Sequence, residues 1–329
     1  MVDRVLLSAG RKNIEACLDL ANEYGLGIEL MCFAYPDVLD GSWKEDLAWY
    51  QKALQGISPV TLHGPFLDLA PGSPDARINA LVRDRYHHAI DIAAELKAEL
   101  IVFHANFIGS LRQDEYRTGW HARNVVFWKE IAAYADAHGI NVVMENMWEF
   151  DPHIIVDLIK EVDHPRLRAC LDIGHAHLFS EVPFEHWLNV ITPVLKHIHL
   201  NNNDGILDVH RALPDGVLKY HDILRDIKAA VPGLTYTLEM EHVEEMRRSL
   251  SYFDVQPVQP PKLPTAAEAE AVTPPRGTPI VPIASTAPTL PTPPKSADKA
   301  DSGAEHQSPG KTVGKGDTAE LPSLPVNAD

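Results

Sequence analysis

Cysteine is scarce in this chain. Three occur in 329 residues, Cys17, Cys32 and Cys170, in neither metal-knuckle nor C-x-x-C spacing. That excludes a disulfide scaffold and fits a reducing compartment. No run approaches the roughly 18 apolar residues that cross a bilayer, and the opening MVDRVLLSAGRKN has no signal-like apolar core. A soluble cytoplasmic protein without membrane contact is expected. No Gly-x-Gly-x-x-Gly follows the first strand, and no phosphate-loop motif occurs, so nucleotide-binding folds lose their main support. Positive charge is also short. Of 46 acidic and 29 basic residues, 9 and 6 lie beyond residue 252, leaving 37 acidic against 23 basic before it. Such a surface disfavours non-specific binding to phosphate backbones or anionic lipid. A local basic strip or bound cations can still invert the field at one site.

Proline is unevenly spread: residues 253–329 hold 15 of the 26. That stretch alternates Pro, Ala, Thr and Ser, with too few large apolar residues to offset chain entropy. Residues 254–329 are expected to form a disordered tail, solvated or docked through extended proline segments. Residues 1–253 then make one domain, the usual size of a single α/β barrel.

Within that domain, short β-rich runs alternate with amphipathic stretches. The strands expected are Val5–Leu7, Gly27–Phe33, Pro59–Leu62, Leu100–Phe103, Asn141–Met144, Leu167–Leu171, Lys196–Leu200 and Thr235–Leu238. Helices are expected near 12–24, 43–55, 75–98, 114–138, 152–161, 184–191, 217–230 and 242–252. Ser42 with Glu45 reads as a capping box, Asp151 before Pro152 as an N-cap, and Gly139 and Gly233 as stops. Eight strands alternating with eight helices imply parallel pairing. A closed (β/α)8 barrel fits this length better than an open doubly wound sheet.

A parallel barrel gathers its chemistry at the carboxyl ends of its strands. His63 follows strand three in TLHGPF, and His104 follows strand four in IVFHAN. Glu145 ends strand five in VVMEN, while Asp172 and His175 follow strand six in LDIGHAH. His199 lies on strand seven in HIHLNNND, Asp208-x-His210 in its loop, and Glu239 after strand eight in YTLEM. A lone loop histidine is usually just a hydrogen-bonder, and a lone glutamate the first solvated residue. Six consecutive strands ending in His, Asp or Glu are another matter. Carboxylates gathered on one rim repel unless cations neutralise them, and imidazole with carboxylate suits zinc, manganese, iron or cobalt. A divalent metal centre, zinc or manganese, is the expectation. His197 lies one layer deeper and reads as a supporting or core residue. His177 has a site-mouth and a structural reading.

The segments HGPF, VVMEN, LDIGHAH, HIHLNNNDG, DVHRALPDG and TLEM resemble the xylose isomerase-like barrel superfamily. It embraces sugar isomerases and epimerases and the endonuclease IV type of abasic-site nuclease (AP endonuclease family 2). The resemblance covers about residues 1–250. It implies, in the sugar branch, one metal on Glu145, Asp172, His199 and Glu239. The two glutamates then carry the proton at the carbon beside a carbonyl, and the metal stabilises the enediolate. The nuclease branch implies three zinc ions: one on His63, His104 and the bridging Glu145, one on Glu145, Asp172, His199 and Glu239, and one on His175, Asp208 and His210. All nine positions carry the right residue type.

The sequence departs from the nuclease pattern at Ala105-Asn106, at Met147–Phe150 and at Leu213–Gly216. Its loop LDLAPGSPDAR offers one arginine where a DNA-gripping loop would offer several basic residues. The expectation is therefore a metal-dependent sugar isomerase or epimerase on one to three ions, with abasic-site cleavage as the alternative. His175 or Arg211 would contact substrate hydroxyls, and Trp148, Phe66 and Phe107 are candidate walls for the sugar, with plain loop packing as the more ordinary reading of each. The expected partner is a small sugar-like molecule, or DNA in the alternative. Oligomeric state stays open, with a homodimer as the pairing to look for.

Overall fold

The apolar runs form eight parallel strands: β1 Arg4–Ala9, β2 Gly27–Leu30, β3 Val60–His63, β4 Leu100–His104, β5 Asn141–Glu145, β6 Leu167–Asp172, β7 Leu195–Leu200 and β8 Thr235–Leu238. In the computed structural model, which describes residues 3–258, each strand pairs with the next and β1 pairs with β8, closing the barrel. Residues 1, 2 and 259–329 lie outside that description, and with them most of the expected tail. Ten α-helices occur among the described residues: α1 Ile14–Tyr24, α2 Pro36–Asp40, α3 Trp43–Ala53, α4 Ala76–Glu95, α5 Asp114–Ala137, α6 His153–Val162, α7 Ile173–Phe179, α8 Phe184–Ile191, α9 Tyr220–Ala230 and α10 Val243–Ser249. No described helix is long and apolar enough to cross a membrane.

The helices coat the barrel by burying one stripe each. On α6 the stripe is Ile154, Ile155, Leu158, Ile159 and Val162, the spacing that keeps one helical face against the strands. Burying each such side chain contributes about 1.5–3 kcal/mol. At the start of α4, the Asp75 carboxylate accepts from Arg77 N at 2.8 Å and so satisfies a free helix-end donor. The expected capping box is absent. Ser42 makes no cap bond and donates instead to Asp46 Oδ2 at 2.7 Å. Asp151 behaves closer to expectation, accepting from His153 N at 2.7 Å.

Three elements differ from the sequence reading, one of them the unexpected short helix α2 that opens at Pro36. β2 stops at Leu30, and Cys32–Ala34 turn into a 3-10 helix whose side chains are all buried. Their burial makes them read as strand. The loop after β6 forms α7, because Asp172 is itself the cap: its Oδ1 accepts from His175 N at 2.6 Å.

The barrel interior is divided. Leu100, Val102, Val143 and Cys170 fill the side made by β4, β5 and β6. Across from them, β2, β3, β7 and β8 contribute Glu29, Thr61, His197, Thr235 and Thr237, all buried and hydrogen-bonded together.

Candidate metal centre

Strand register brings the rim residues together. His63, His104, Glu145 and Asp172 are each the last residue of their strand, and Glu239 follows β8 directly. His104 pairs with Glu145 across β4 and β5, and Asp172 with His199 across β6 and β7. One carboxylate is central. Glu145 Oε2 lies 3.3 Å from both His63 Nε2 and His104 Nε2, while its Oε1 lies 3.1 Å from His199 Nδ1. His199 Nδ1 is in turn 3.2 Å from Glu239 Oε2. On the loop side, Asp208 reaches His175 Nε2 through Oδ2 and His210 Nε2 through Oδ1, each at 3.1 Å.

All nine expected ligands thus fall into linked groups. Donor atoms of Glu145, Asp172, His199 and Glu239 lie within 4.8 Å of one another, as do those of His63, Glu145 and His199, and those of His175, Asp208 and His210. A further trio, Asp151, His153 and His186, lies towards the surface, where His153 already pairs with Asp157.

The fit to metal can be tested on atoms. Bonds of about 2.0–2.2 Å place neighbouring donors about 2.9–3.5 Å apart around one ion, and the six pairs above span 3.1–3.3 Å. Both Glu145 oxygens, His199 Nδ1 and Glu239 Oε2 are buried without a hydrogen-bond partner. Three imidazoles are also held in one tautomer. Nδ1–H of His63 donates to Gly64 O, of His175 to Asn146 O and of His210 to Glu239 O, each at 2.9 Å. That leaves each Nε2 lone pair facing a carboxylate, an arrangement that a shared cation makes favourable.

The electrostatics agree. Burial opposes the charge on Glu239, yet His199 and His210 hold its carboxyl down to about 2. Burial likewise works against Glu145, and His199 and His104 keep it well below the usual carboxylate range. Asp172 is lifted to about 6 by burial, with Glu239 and Glu145 adding to the rise. His210 resists burial and rises to about 9 beside Glu239 and Asp208. The clustered carboxylates thus draw positive charge, from the protonated imidazoles around them or from a cation in their place.

Local sequence explains the precision. Asp172 caps α7 through one oxygen and accepts from Asn201 Nδ2 at 2.9 Å through the other. Gly174 leaves room for this: a Cβ there would sit 2.1 Å from Asn201 Oδ1. His210 adopts φ +39°, which turns its ring back towards Asp208.

The remaining expected residues scatter. Phe66 is half-buried and stacks on His104 with ring centres 4.7 Å apart. Phe107 is fully buried against Tyr116, Trp120 and Phe150, so it packs the core and cannot wall a substrate. Trp148 is exposed on the loop after β5. Arg211 pairs with Asp204 at 3.2 Å and is well exposed. His175 has both ring nitrogens engaged, which favours ligation over contact with substrate hydroxyls. His177 is exposed, and His197 is a buried hydrogen-bonder, as its depth suggested. Missing from the sequence reading were Glu29 and Glu149, both buried acids. Glu149 accepts from Met147 N at 2.6 Å and Phe107 N at 3.1 Å, tying the loops after β5 and β4 together.

Beside Glu239 and His210 the rim opens into a cavity of about 960 Å³, which also meets Arg11, Asn13, Tyr35 and Glu245. A closed parallel barrel with a His/carboxylate rim and an adjoining cleft defines a (β/α)8 class whose site lies at the strands' carboxyl ends. The chain belongs to the xylose isomerase-like TIM barrel family, whose pattern matches residues 18–255. It is 27% identical over 232 residues to fructoselysine 3-epimerase of Shigella flexneri, covering 66% of this chain and 81% of that one. Among solved structures, it resembles a Thermus thermophilus protein solved after soaking with ZnCl2, at 26% identity and TM-score 0.66, over 75% of this chain and 95% of that one. A D-tagatose 3-epimerase-like protein shares the fold at 22% identity and TM-score 0.62, over 74% and 94%.

Proposed function

We propose that this protein is a metal-dependent sugar isomerase or epimerase that moves a proton at the carbon beside a sugar carbonyl. The observation carrying this reading is the convergence of Glu145, Asp172, His199 and Glu239 within 4.8 Å, with Glu239 lining a cavity of roughly 960 Å³. Those four residues would hold a divalent ion, zinc or manganese, which when bound polarises substrate oxygens and favours an enediolate. Glu239 is the more open acid, 9% exposed and facing the cavity, whereas both oxygens of Glu145 face imidazoles. Ionised Glu239 accepts the proton from the substrate carbon, the C–H electron pair passes to the carbonyl oxygen, and Glu145 is the second carrier. The similarity to fructoselysine 3-epimerase supports this class and a small sugar-like partner.

A second reading, phosphodiester cleavage at abasic DNA sites, is favoured by one specific observation. The His63–His104–Glu145 and His175–Asp208–His210 groups complete the three-ion ligand pattern. Against it, the loops around the mouth expose Leu67, Ile108, Trp148, Ile206 and Leu207 rather than a run of basic residues. The two separate in one experiment. Protein loaded with manganese or zinc is incubated in D2O with a panel of ketoses, aldoses and amine-linked ketose derivatives, and in parallel with a duplex carrying one abasic site. The expected result is solvent deuterium at the substrate carbon, reduced at least about a hundredfold in Glu239→Gln, without nicking. Nicking with no exchange on any sugar would replace the first reading by the second.

A further inference from the structure

Beneath the rim, β2 carries Glu29, fully buried inside the barrel. Its Oε2 collects three donors: Thr61 Oγ1 at 2.8 Å, Thr237 Oγ1 at 2.9 Å and His197 Nε2 at 3.0 Å. Its Oε1 lies 2.8 Å from His199 Nε2, a close contact that is not aligned as a hydrogen bond, and both atoms are buried without a hydrogen-bond partner. A buried carboxylate is costly unless its contacts repay the desolvation. Thr61, Thr237 and His197 satisfy one oxygen, which leaves the other committed to His199.

His199 is the odd ligand of the set. His63, His175 and His210 turn Nδ1–H to a backbone carbonyl and present Nε2 to the carboxylates. His199 presents Nδ1 to Glu145 and Glu239, and Nε2 points down the barrel. For Nδ1 to offer a lone pair, the ring proton must sit on Nε2. An acceptor behind the ring secures that, and Glu29 Oε1 lies there, 2.8 Å from Nε2.

We propose that Glu29 is a positioning residue that fixes His199 as its Nε2–H tautomer and so turns Nδ1 towards the Glu145–Asp172–Glu239 group as a metal donor. This rests on the metal reading of the rim. A carboxylate behind a ligating imidazole both orients the ring and strengthens it as a donor, and its loss costs about 10–100-fold in metal affinity. A merely structural hub would tolerate glutamine, which keeps the shape and its own hydrogen bonds. As a tautomer-setting group it would not. The amide nitrogen cannot face the two hydroxyls and His197 as well as a carboxylate oxygen does, so it turns to His199. There it donates to Nε2 and drives the ring proton onto Nδ1.

The test uses the full chain, wild type and Glu29→Gln, stripped with chelator and titrated with zinc against a chromophoric competitor. The expected result is zinc binding in both, weaker by about 10–100-fold for one equivalent in the variant, with thermal unfolding showing a folded protein. Equal stoichiometry and affinity in the two proteins would overturn the proposal while leaving the metal reading intact. A wild type that binds no zinc would overturn both. Because the variant could fail to fold, zinc-loaded wild type labelled with 15N-histidine gives a second measurement. Long-range proton–nitrogen spectra should show a ligating ring protonated at Nε2, and a spectrum in which every ligating ring is protonated at Nδ1 refutes the assignment.

Discussion

The pH dependence of stability offers a direct check on the loop beneath Trp148. Glu149 is 1% exposed, and burial raises its carboxyl from 4.5 to about 7, even though backbone N–H groups of Met147 and Phe107 favour the charged form. A carboxyl raised on folding binds more protons in the folded state than in the unfolded state between those two values. Its contribution is therefore complete below pH 4.5 and is lost as pH rises through about 7. At 1.36 kcal/mol per pH unit, the loss by pH 8 is about 3 kcal/mol. Urea unfolding of chelator-treated protein at pH 5, 6, 7 and 8 measures it, for wild type and Glu149→Gln. The glutamine places an amide N–H against one backbone donor, which adds a cost of about 1–3 kcal/mol that does not change with pH. Groups that do not act on Glu149 titrate alike in both proteins and cancel in the difference. Relative to wild type, the variant should gain about 2.5 kcal/mol between pH 5 and pH 8. Parallel curves would show that Glu149 does not carry the buried proton, and the account of that loop would be wrong.

Other expectations follow from single contacts. Asp208→Asn should remove about one metal equivalent per chain, or weaken it by about 10–100-fold, while the Glu145 groups keep theirs; metal analysis after gel filtration reads this, and unchanged content would remove Asp208 from the ligand set. Gly64→Ala would place a Cβ 2.1 Å from Phe103 Cε1, on a ring stacked against Tyr86, so neither can yield freely. Its unfolding midpoint should fall by the equivalent of about 1–3 kcal/mol, and a wild-type melting temperature would contradict the packing described.

The sequence makes the barrel legible because the strands are short, largely apolar runs, and four of them, β3 to β6, end on a titratable residue. VVME and CLD show the change from core to rim within one residue. The candidate metal donors are readable because a polar group at a strand's carboxyl end faces one shared mouth. The rest was hidden where one residue serves two purposes. Asp172 reads as a ligand, and nothing in IGHAHLF announces that it also caps a helix placing His175. Glu29 sits between Ile28 and Leu30 in GIEL, where an interior position is ordinarily apolar. An acid inside a fully buried run was the available signal. Phe107 follows a ligand strand and so resembles a rim aromatic, but its loop folds beneath Trp120 and Phe150, and that contact is long-range. Ser42 and Glu45 have the spacing of a cap, yet Asp46 and Arg11 draw the serine hydroxyl away.

The division between strand ends and loops has a consequence for how such a protein diversifies. Every proposed metal donor except His175, Asp208 and His210 is fixed by the barrel or the residue just beyond it, whereas Leu67, Ile108, Trp148, Ile206 and Leu207 lie on the connections above. Mutations in those connections can retune what enters the mouth while the donors at the strand ends stay fixed on the barrel. The barrel acts as a fixed socket and the loops as exchangeable fittings. Lineages that keep the socket can explore new molecules one loop at a time.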